Sequence, residues 1–274
     1  MIIKDYVKRL VKYIIWGTPT LNITADLKVL SIDNSLGGKK VLITGANRGL
    51  GLSIAKRCID SGADVVISAR NEKGLKQAKE VFGDACDYVI LDLSIDSNFN
   101  HFWEHKALKG VNTLVLNAGV SLHEASFLSV NQSGWDEQFN VNLKANYFLA
   151  QSFIRFRHEE SLSKVIFLSS ERGLIPDDTP YGLTKAAMNS LVKGLSNSFV
   201  DKGFLINAIA PGVTASDMTG YTKTGNLARE QSYGKRVFLP EEISNIAWFL
   251  ISDLSNSISG EVIACDHGSY LKQK

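Results

Sequence analysis

A chain of 274 residues, 45% of them apolar and 21% charged, can bury the core of one large α/β domain or two small ones. Its formal net charge of +2, with no long Lys/Arg tract, excludes a nucleic-acid partner, and no run of 18 apolar residues is available to span a membrane. Cys58, Cys86 and Cys265 are widely separated, odd in number and set among apolar residues, which reads as buried thiols in a reducing, cytoplasmic setting, with neither a disulfide framework nor a CxxC metal site.

Residues 1–38 read as an extension ahead of the main domain. In MIIKDYVKRLVKYIIWGTP the pairs Ile2/Ile3, Tyr6/Val7, Leu10/Val11 and Ile14/Ile15 recur with a helical period, and Lys4, Lys8, Arg9 and Lys12 fall between them. A cleavable signal peptide separates its basic and apolar parts, whereas this stretch mixes them. Three readings stay open: packing on its own domain or on a partner subunit, peripheral contact of residues 1–16 with an anionic membrane surface, or targeting.

From residue 39 on, short apolar runs alternate with helical patterns. KKVLITG is a strand, 50–61 a helix, 63–70 a strand, NEKGLKQAKEVFG a polar helix and 87–94 a strand. Helix 97–108, strand 111–119, helix 134–158, strand 164–173 and helix 181–201 follow. Strand 204–212, helix 240–252 and strand 260–268 complete the chain. This alternation predicts a Rossmann-type, doubly wound parallel β-sheet with helices on both faces, as one domain over 39–274. The long irregular piece is 216–238, at the carboxyl end of a strand, where substrates bind in such sheets.

TGANRGLG lies between the first strand and the first helix. Gly45, Gly49 and Gly51, with Asn47, Arg48 and Leu50 between them, form a turn in which backbone can approach a pyrophosphate at a helix N-terminus. The second strand ends in Ala69 and Arg70, with no carboxylate to bind ribose hydroxyls. Arg70 and Arg48 instead suit a 2′-phosphate, so the expected cofactor is NADP(H). Asp92 and Leu93 end the third strand, where the carboxylate can accept the adenine amino group. Asn117, Ala118 and Gly119 end the fourth, where small residues permit close cofactor contact and Asn117 can fix the turn.

PYGLTKAAMNS places Tyr181 and Lys185 on one helix face. A nearby lysine favours a phenolate, but the spacing alone is common. His101 and His105 share a similar spacing without a third ligand, and no metal is expected.

Taken together, TGANRGLG, LDL, LNAG, the Asn of NVN, the serine pair of FLSSERG, YGLTK and APG occur in an order that resembles the classical short-chain dehydrogenase/reductase family over residues 39–268. The resemblance implies Tyr181 as general acid/base and Ser170 as the group that holds the substrate oxygen. It implies that Lys185 binds nicotinamide ribose and lowers the tyrosine pKa, and that Asn142 supports a proton relay. Pro211, Gly212 and Val213 would border the nicotinamide, with Ser216 in the place of the family's usual threonine. The implied activity is hydride transfer between NADP(H) and a carbonyl or secondary alcohol, as a ketone or 3-oxoacyl reductase. A cofactor-retaining epimerase or dehydratase of a sugar-like substrate, or a non-catalytic nucleotide sensor, are the alternatives. The family's habit implies a homodimer or homotetramer, with helices 134–158 and 181–201 forming one interface.

Two stretches depart from the family pattern. ERGLIPDDTP, between Ser170 and Tyr181, is short and carries Asp177 and Asp178, which can bind the substrate or face water. Near the C-terminus, His267 stands where a glycine is usual. In 216–238, Lys223, Arg229, Lys235 and Arg236 can meet a substrate anion or form a solvated lid.

Overall fold

Strand-forming runs rich in Val, Ile and Leu pair into a single parallel sheet in this computed structural model. It describes residues 34–94, 99, 101–157 and 162–272, together with residues 7, 8, 11, 14, 15, 22 and 24. The strands are β1 (Lys40–Thr44), β2 (Asp64–Ala69), β3 (Cys86–Ile90), β4 (Thr113–Leu116), β5 (Ser163–Leu168), β6 (Phe204–Pro211) and β7 (Val262–Cys265). Their spatial order is β3-β2-β1-β4-β5-β6-β7. The chain therefore reverses direction across the sheet between β1 and β4, and the crevice outside their carboxyl ends is the switch point where such sheets bind ligands.

Alternation along the strands feeds two cores. Leu42, Val66, Leu114, Val165 and Ile206 point to one face. There they meet Leu149 and Phe153 of α4 (Asn146–Phe156) and Met188 and Val192 of α5 (Pro180–Phe199). Val41, Ile43, Val65, Ile67, Val115, Ile166 and Ile209 point to the other. They are covered by Ile54 and Cys58 of α1 (Gly49–Ile59), Leu75 of α2 (Glu72–Phe82) and Ile243 and Leu250 of α6 (Pro240–Ile251). Burying each of these side chains contributes roughly 1.5–3 kcal/mol, so both faces must stay covered for the sheet to hold. Leu36, ahead of β1, is fully buried in the second core, and its N–H donates to Ser61 O at 2.8 Å.

The fold is the expected one, with three local differences. Over its described residues, the predicted helix 97–108 is two 3₁₀ turns, His101–Glu104 and Lys106–Leu108. His105 takes an extended conformation between them and its ring accepts the Ala107 N–H. Trp103 is pinned by its Nε1–H on Ser152 and by stacking on Phe156. The expected long helix 134–158 is α3 (Gln132–Gln138), a π-helical stretch Phe139–Ala145, and α4. The Asn146 amide donates to Val141 O and Asn142 O, inserting a side chain into the ladder at the widened turn. Cys58 and Cys86 are buried as expected, but Cys265 is half-buried. Burial pushes the Cys58 thiol up to about 12. Within the expected helix of residues 1–16, Val7, Lys8, Val11, Ile14 and Ile15 are helical and exposed, and the rest of that stretch lies outside the described residues. No helix of the described residues is long and apolar enough to cross a membrane.

Candidate active site

At the switch point the β1 and β4 ends are cross-braced. Thr44 Oγ1 accepts the N–H groups of Asn117 and Ala118, both at 3.1 Å, and the Asn117 amide donates to Thr44 O at 2.9 Å and Gly45 O at 3.2 Å. This packing dictates two glycines. A β-carbon at Gly45 would lie 2.9 Å from Ala118 Cα, and one at Gly51 would lie 2.5 Å from the Asn117 amide nitrogen. Gly45 also has φ +64°, a left-handed value that favours glycine. The bracing holds open a cleft of about 560 Å³ over the carboxyl ends of the strands.

One half of the cleft suits a dinucleotide. Helix α1 begins after Arg48, and no side chain caps it, so its first N–H groups remain open to an anion. Asn47, Arg48, Gly49, Leu50 and Gly51 line that wall. Arg70 is exposed at the end of β2. Arg48 Nη1 donates to Asp217 Oδ2 at 2.8 Å, joining the glycine loop to the loop after β6 through a solvent-exposed pair. Asp92 and Leu93 border the same space. The Asp92 carboxylate accepts the Ser94 hydroxyl and N–H, and these bonds hold it below the usual carboxylate range.

Deeper in the cleft lie Asn117, Ala118 and Gly119 from β4, then Ser170, Tyr181 and Lys185. Pro211, Gly212, Val213 and Ser216 close the far wall. Val213 O is taken by the Phe238 N–H at 2.8 Å, and the Ser216 hydroxyl donates to Thr214 O at 3.3 Å. Ser170 follows β5 and accepts the Arg172 N–H, which turns the chain under it. Tyr181 sits in the first turn of α5, and Lys185 one turn on. Lys185 Nζ donates to Leu168 O at 2.6 Å and lies 5.6 Å from the Tyr181 ring centroid. Burial raises Tyr181 above the usual phenol range, while a Ser170 hydrogen bond and Arg172 pull it back and Glu171 opposes them. Burial takes Lys185 down to about 8. The expected lowering of the Tyr181 pKa by Lys185 is not seen in these contacts: the net shift is upward through burial, and the groups that pull it down are Ser170 and Arg172.

Asn142 is fully buried behind this wall, in the π-helical stretch. Its Oδ1 accepts the Val120 N–H and its Nδ2 donates to Val120 O, both at 2.8 Å, and Nδ2 also reaches Thr184 Oγ1 at 3.3 Å. Of the residues expected at the site, Asn142 alone does not line the cleft, and it supports those that do.

The acidic pair does not reach the cleft. Asp177 is folded into its own loop, accepting Arg172 Nε and Nη2 at 2.5 and 2.8 Å and the Thr179 N–H at 2.9 Å. Asp178 is exposed. Among the loop cations singled out by sequence, Arg229 lines the cleft. Lys223 pairs with Glu241, and Arg236 makes a two-bond pair with Glu242 at 2.6 and 2.7 Å. Sequence reasoning did not single out Thr44, Glu171, Arg172 or His123. His123 Nε2 contacts Met218 O at 2.8 Å across the cleft mouth. The position of Glu171 directly after Ser170 was the signal available for it.

The family described as enoyl-(acyl carrier protein) reductase matches residues 45–270. The chain is 30% identical over 250 residues to a 3-oxoacyl-[acyl-carrier-protein] reductase of Aquifex aeolicus, covering 86% of this chain and 98% of that protein. It is also 30% identical over 246 residues to a gluconate 5-dehydrogenase of Gluconobacter oxydans, covering 85% and 95%. A solved structure of a 3-ketoacyl-(acyl-carrier-protein) reductase from Brucella melitensis, complexed with NADH, superposes with a TM-score of 0.78 at 25% identity, covering 86% of this chain and 99% of that one. A structure described as a short chain dehydrogenase/reductase family protein matches at 28% identity with a TM-score of 0.77, covering 86% and 99%.

Proposed function

The chain belongs to the classical short-chain dehydrogenase/reductase family and is an NAD(P)-dependent oxidoreductase of carbonyl and alcohol groups; from that premise we propose that it reduces a ketone with NADPH, using Tyr181 as the proton donor. The observation that carries the reading is the convergence of Ser170, Tyr181 and Lys185 in the cleft that the glycine loop opens.

A nicotinamide held in this cleft would supply the hydride. Ser170 donates a hydrogen bond to the substrate oxygen and fixes it beside the phenol. Tyr181 gives its hydroxyl proton to that oxygen as the carbon is reduced, and the alcohol leaves with one hydride and one proton added. A phenol held above its ordinary range stays protonated at neutral pH, which suits this direction. Lys185, still mostly cationic at neutral pH with a pKa near 8, steadies the phenolate left behind. Asn142, tied to Val120 and Thr184, keeps the widened helix turn in place behind Lys185 and is assigned the relay that restores the proton. Gly45, Gly49 and Gly51 take the pyrophosphate side, with Asp92 and Leu93 toward the adenine. Pro211, Gly212, Val213 and Ser216 border the nicotinamide.

Tyr181→Phe should lower turnover by about 10²–10⁴-fold, the usual worth of positioned proton transfer, while NADPH binding measured by fluorescence is unchanged. Full turnover in that variant would refute the assignment. NADPH is chosen over NADH because Arg70 and Arg48 stand where a ribose-binding carboxylate is absent. Arg70→Ala should raise the KM for NADPH on the order of tenfold and leave that for NADH alone. Equal use of both cofactors by the unaltered protein would contradict the preference. By likeness to the relatives, 3-oxoacyl thioesters and sugar-derived ketones are the first two substrate classes to assay.

A further inference from the structure

The substrate half of the cleft holds a charged group that proton and hydride transfer do not require. Glu171 opens the turn Glu171–Leu174, is half-buried, and lines the cleft next to Ser170, Arg172 and Tyr181. Among the described residues its carboxylate has no hydrogen bond and no ion pair. The charges around it are Asp266 after β7, Arg229 in the loop after β6 and Arg172 in its own turn. Neither arginine is directed to it. Arg172 is held by both oxygens of Asp177, and Arg229 Nη1 donates to Ser232 at 2.9 Å.

A carboxylate partly screened from water and without a protein partner is open to a donor that a ligand brings to it. When ionised it only accepts hydrogen bonds, so the matching group is a donor. Two donor classes are available to a substrate, an ammonium and a hydroxyl. Arg172 is already neutralised by Asp177 and Asp266 stands against Arg229, so the surrounding charges do not choose between them; the sugar-derived ketones named above carry the hydroxyl. Ser170 and Glu171 are consecutive in one tight turn. A ligand whose carbonyl oxygen sits on Ser170 therefore has its neighbouring substituents in the part of the cleft that Glu171 lines.

We propose that Glu171 is a specificity-determining residue that accepts a hydrogen bond from a substrate hydroxyl one or two carbons from the reacting carbonyl, so that the substrate is a hydroxylated ketone of the ketose or hydroxy-ketone class. This narrows the reduction assigned above and rests on it. Burial also holds Glu171 above the usual carboxylate range, and its charge is the smallest of the influences on Tyr181, opposing ionisation of the phenol.

The test compares matched ketones that differ by one hydroxyl, hydroxyacetone against acetone and 3-hydroxy-2-butanone against 2-butanone, with NADPH and the full chain. The unaltered protein should favour the hydroxylated member of each pair in kcat/KM by on the order of 10- to 100-fold, the worth of a hydrogen bond to a charged group. Glu171→Ala should bring each ratio to within about twofold, the hydroxylated member losing more than its partner. Glu171→Gln, of the same shape, should keep part of the preference. By removing a charge that faces Tyr181, it should also shift the rise of alcohol oxidation to lower pH, with Asp266, Arg229 and Arg172 unchanged around it. Equal rates for both members of a pair in the unaltered protein, or equal losses on both in Glu171→Ala, would overturn the proposal. Retained turnover in Tyr181→Phe would instead overturn the reaction on which it rests, so the two failures are distinguishable.

Discussion

Gly182 lies where a β-carbon would stand 2.0 Å from the Asp177 carboxyl carbon. That carboxyl cannot swing aside cheaply, because Arg172, the Thr179 N–H and the Thr179 hydroxyl all hold it. The glycine after Tyr181 thus lets the shortened loop fold its acidic residue inward and keep Arg172 beside the phenol. Gly182→Ala should cost about 1–3 kcal/mol, the usual penalty of overpacking a closed site. In an Asp177→Ala background the same change should cost much less, because the obstructing carboxyl is gone. The difference between the two costs, measured by urea unfolding of the four proteins, should be on the order of 1 kcal/mol or more for groups in contact. Additive costs would show that the two residues do not share the site.

Strand β5 carries a buried lysine at its second position, an unusual residue for a sheet covered on both faces. Lys164 Nζ donates to Ser252 O at 2.5 Å and to the Ser255 hydroxyl at 2.9 Å, tying β5 to the turn after α6. Burial, with Lys39 nearby, takes it from its ordinary 10.5 down to about 8, against the pull of Asp253. Between those values the unfolded chain binds more protons than the folded one, so the contribution of this group to stability rises with pH across that window. Below about 8 the folded protein bears the full cost of burying the charge. Unfolding free energies at pH 7.5 and 9.5 should therefore rise more steeply in the unaltered protein than in Lys164→Gln, by up to about 1.4 kcal/mol per pH unit. Parallel pH dependences would mean that Lys164 keeps its charge throughout. Elements of this kind mark how far the sequence could be read. Strand and helix positions follow from apolar period, and the glycine turn from its spacing, because both are local. The π-helical turn at Asn142 depends on partners remote in sequence, Val120 and Thr184, and the break at His105 and the inward fold of Asp177 on particular side-chain hydrogen bonds. An alternation of residue types does not encode these. Glu171 was legible in position but not in role, since only the folded turn shows that Asp177, and not Glu171, occupies Arg172.

At the scale of the whole molecule, apolar surface remains uncovered on one side. Phe139, Leu143, Tyr147, Phe148, Ala187 and Leu191 line a shallow groove between the α3–α4 segment and α5, with Trp135 stacked on Phe139 at 4.3 Å. Tyr147 and Phe148 are 42% and 36% exposed. A contiguous apolar patch of this kind on a folded domain marks a contact surface. It lies on the two helices that the sequence expectation assigned to a subunit interface. These are also the helices that carry Asn142, Tyr181 and Lys185, so a partner packed there would stiffen the catalytic wall from behind. Val7, Val11, Ile14 and Ile15 form a separate apolar row at helical spacing and are also exposed. The two surfaces make different predictions. If the helix face is the interface, Phe148→Asp should reduce the light-scattering mass to that of a single chain at micromolar concentration, with far-UV circular dichroism unchanged and turnover reduced. Removal of residues 1–30 should leave both mass and turnover as they were, because no described residue of that stretch belongs to either core. The opposite pattern, a mass that falls on truncation and survives Phe148→Asp, would move the interface to the N-terminal row.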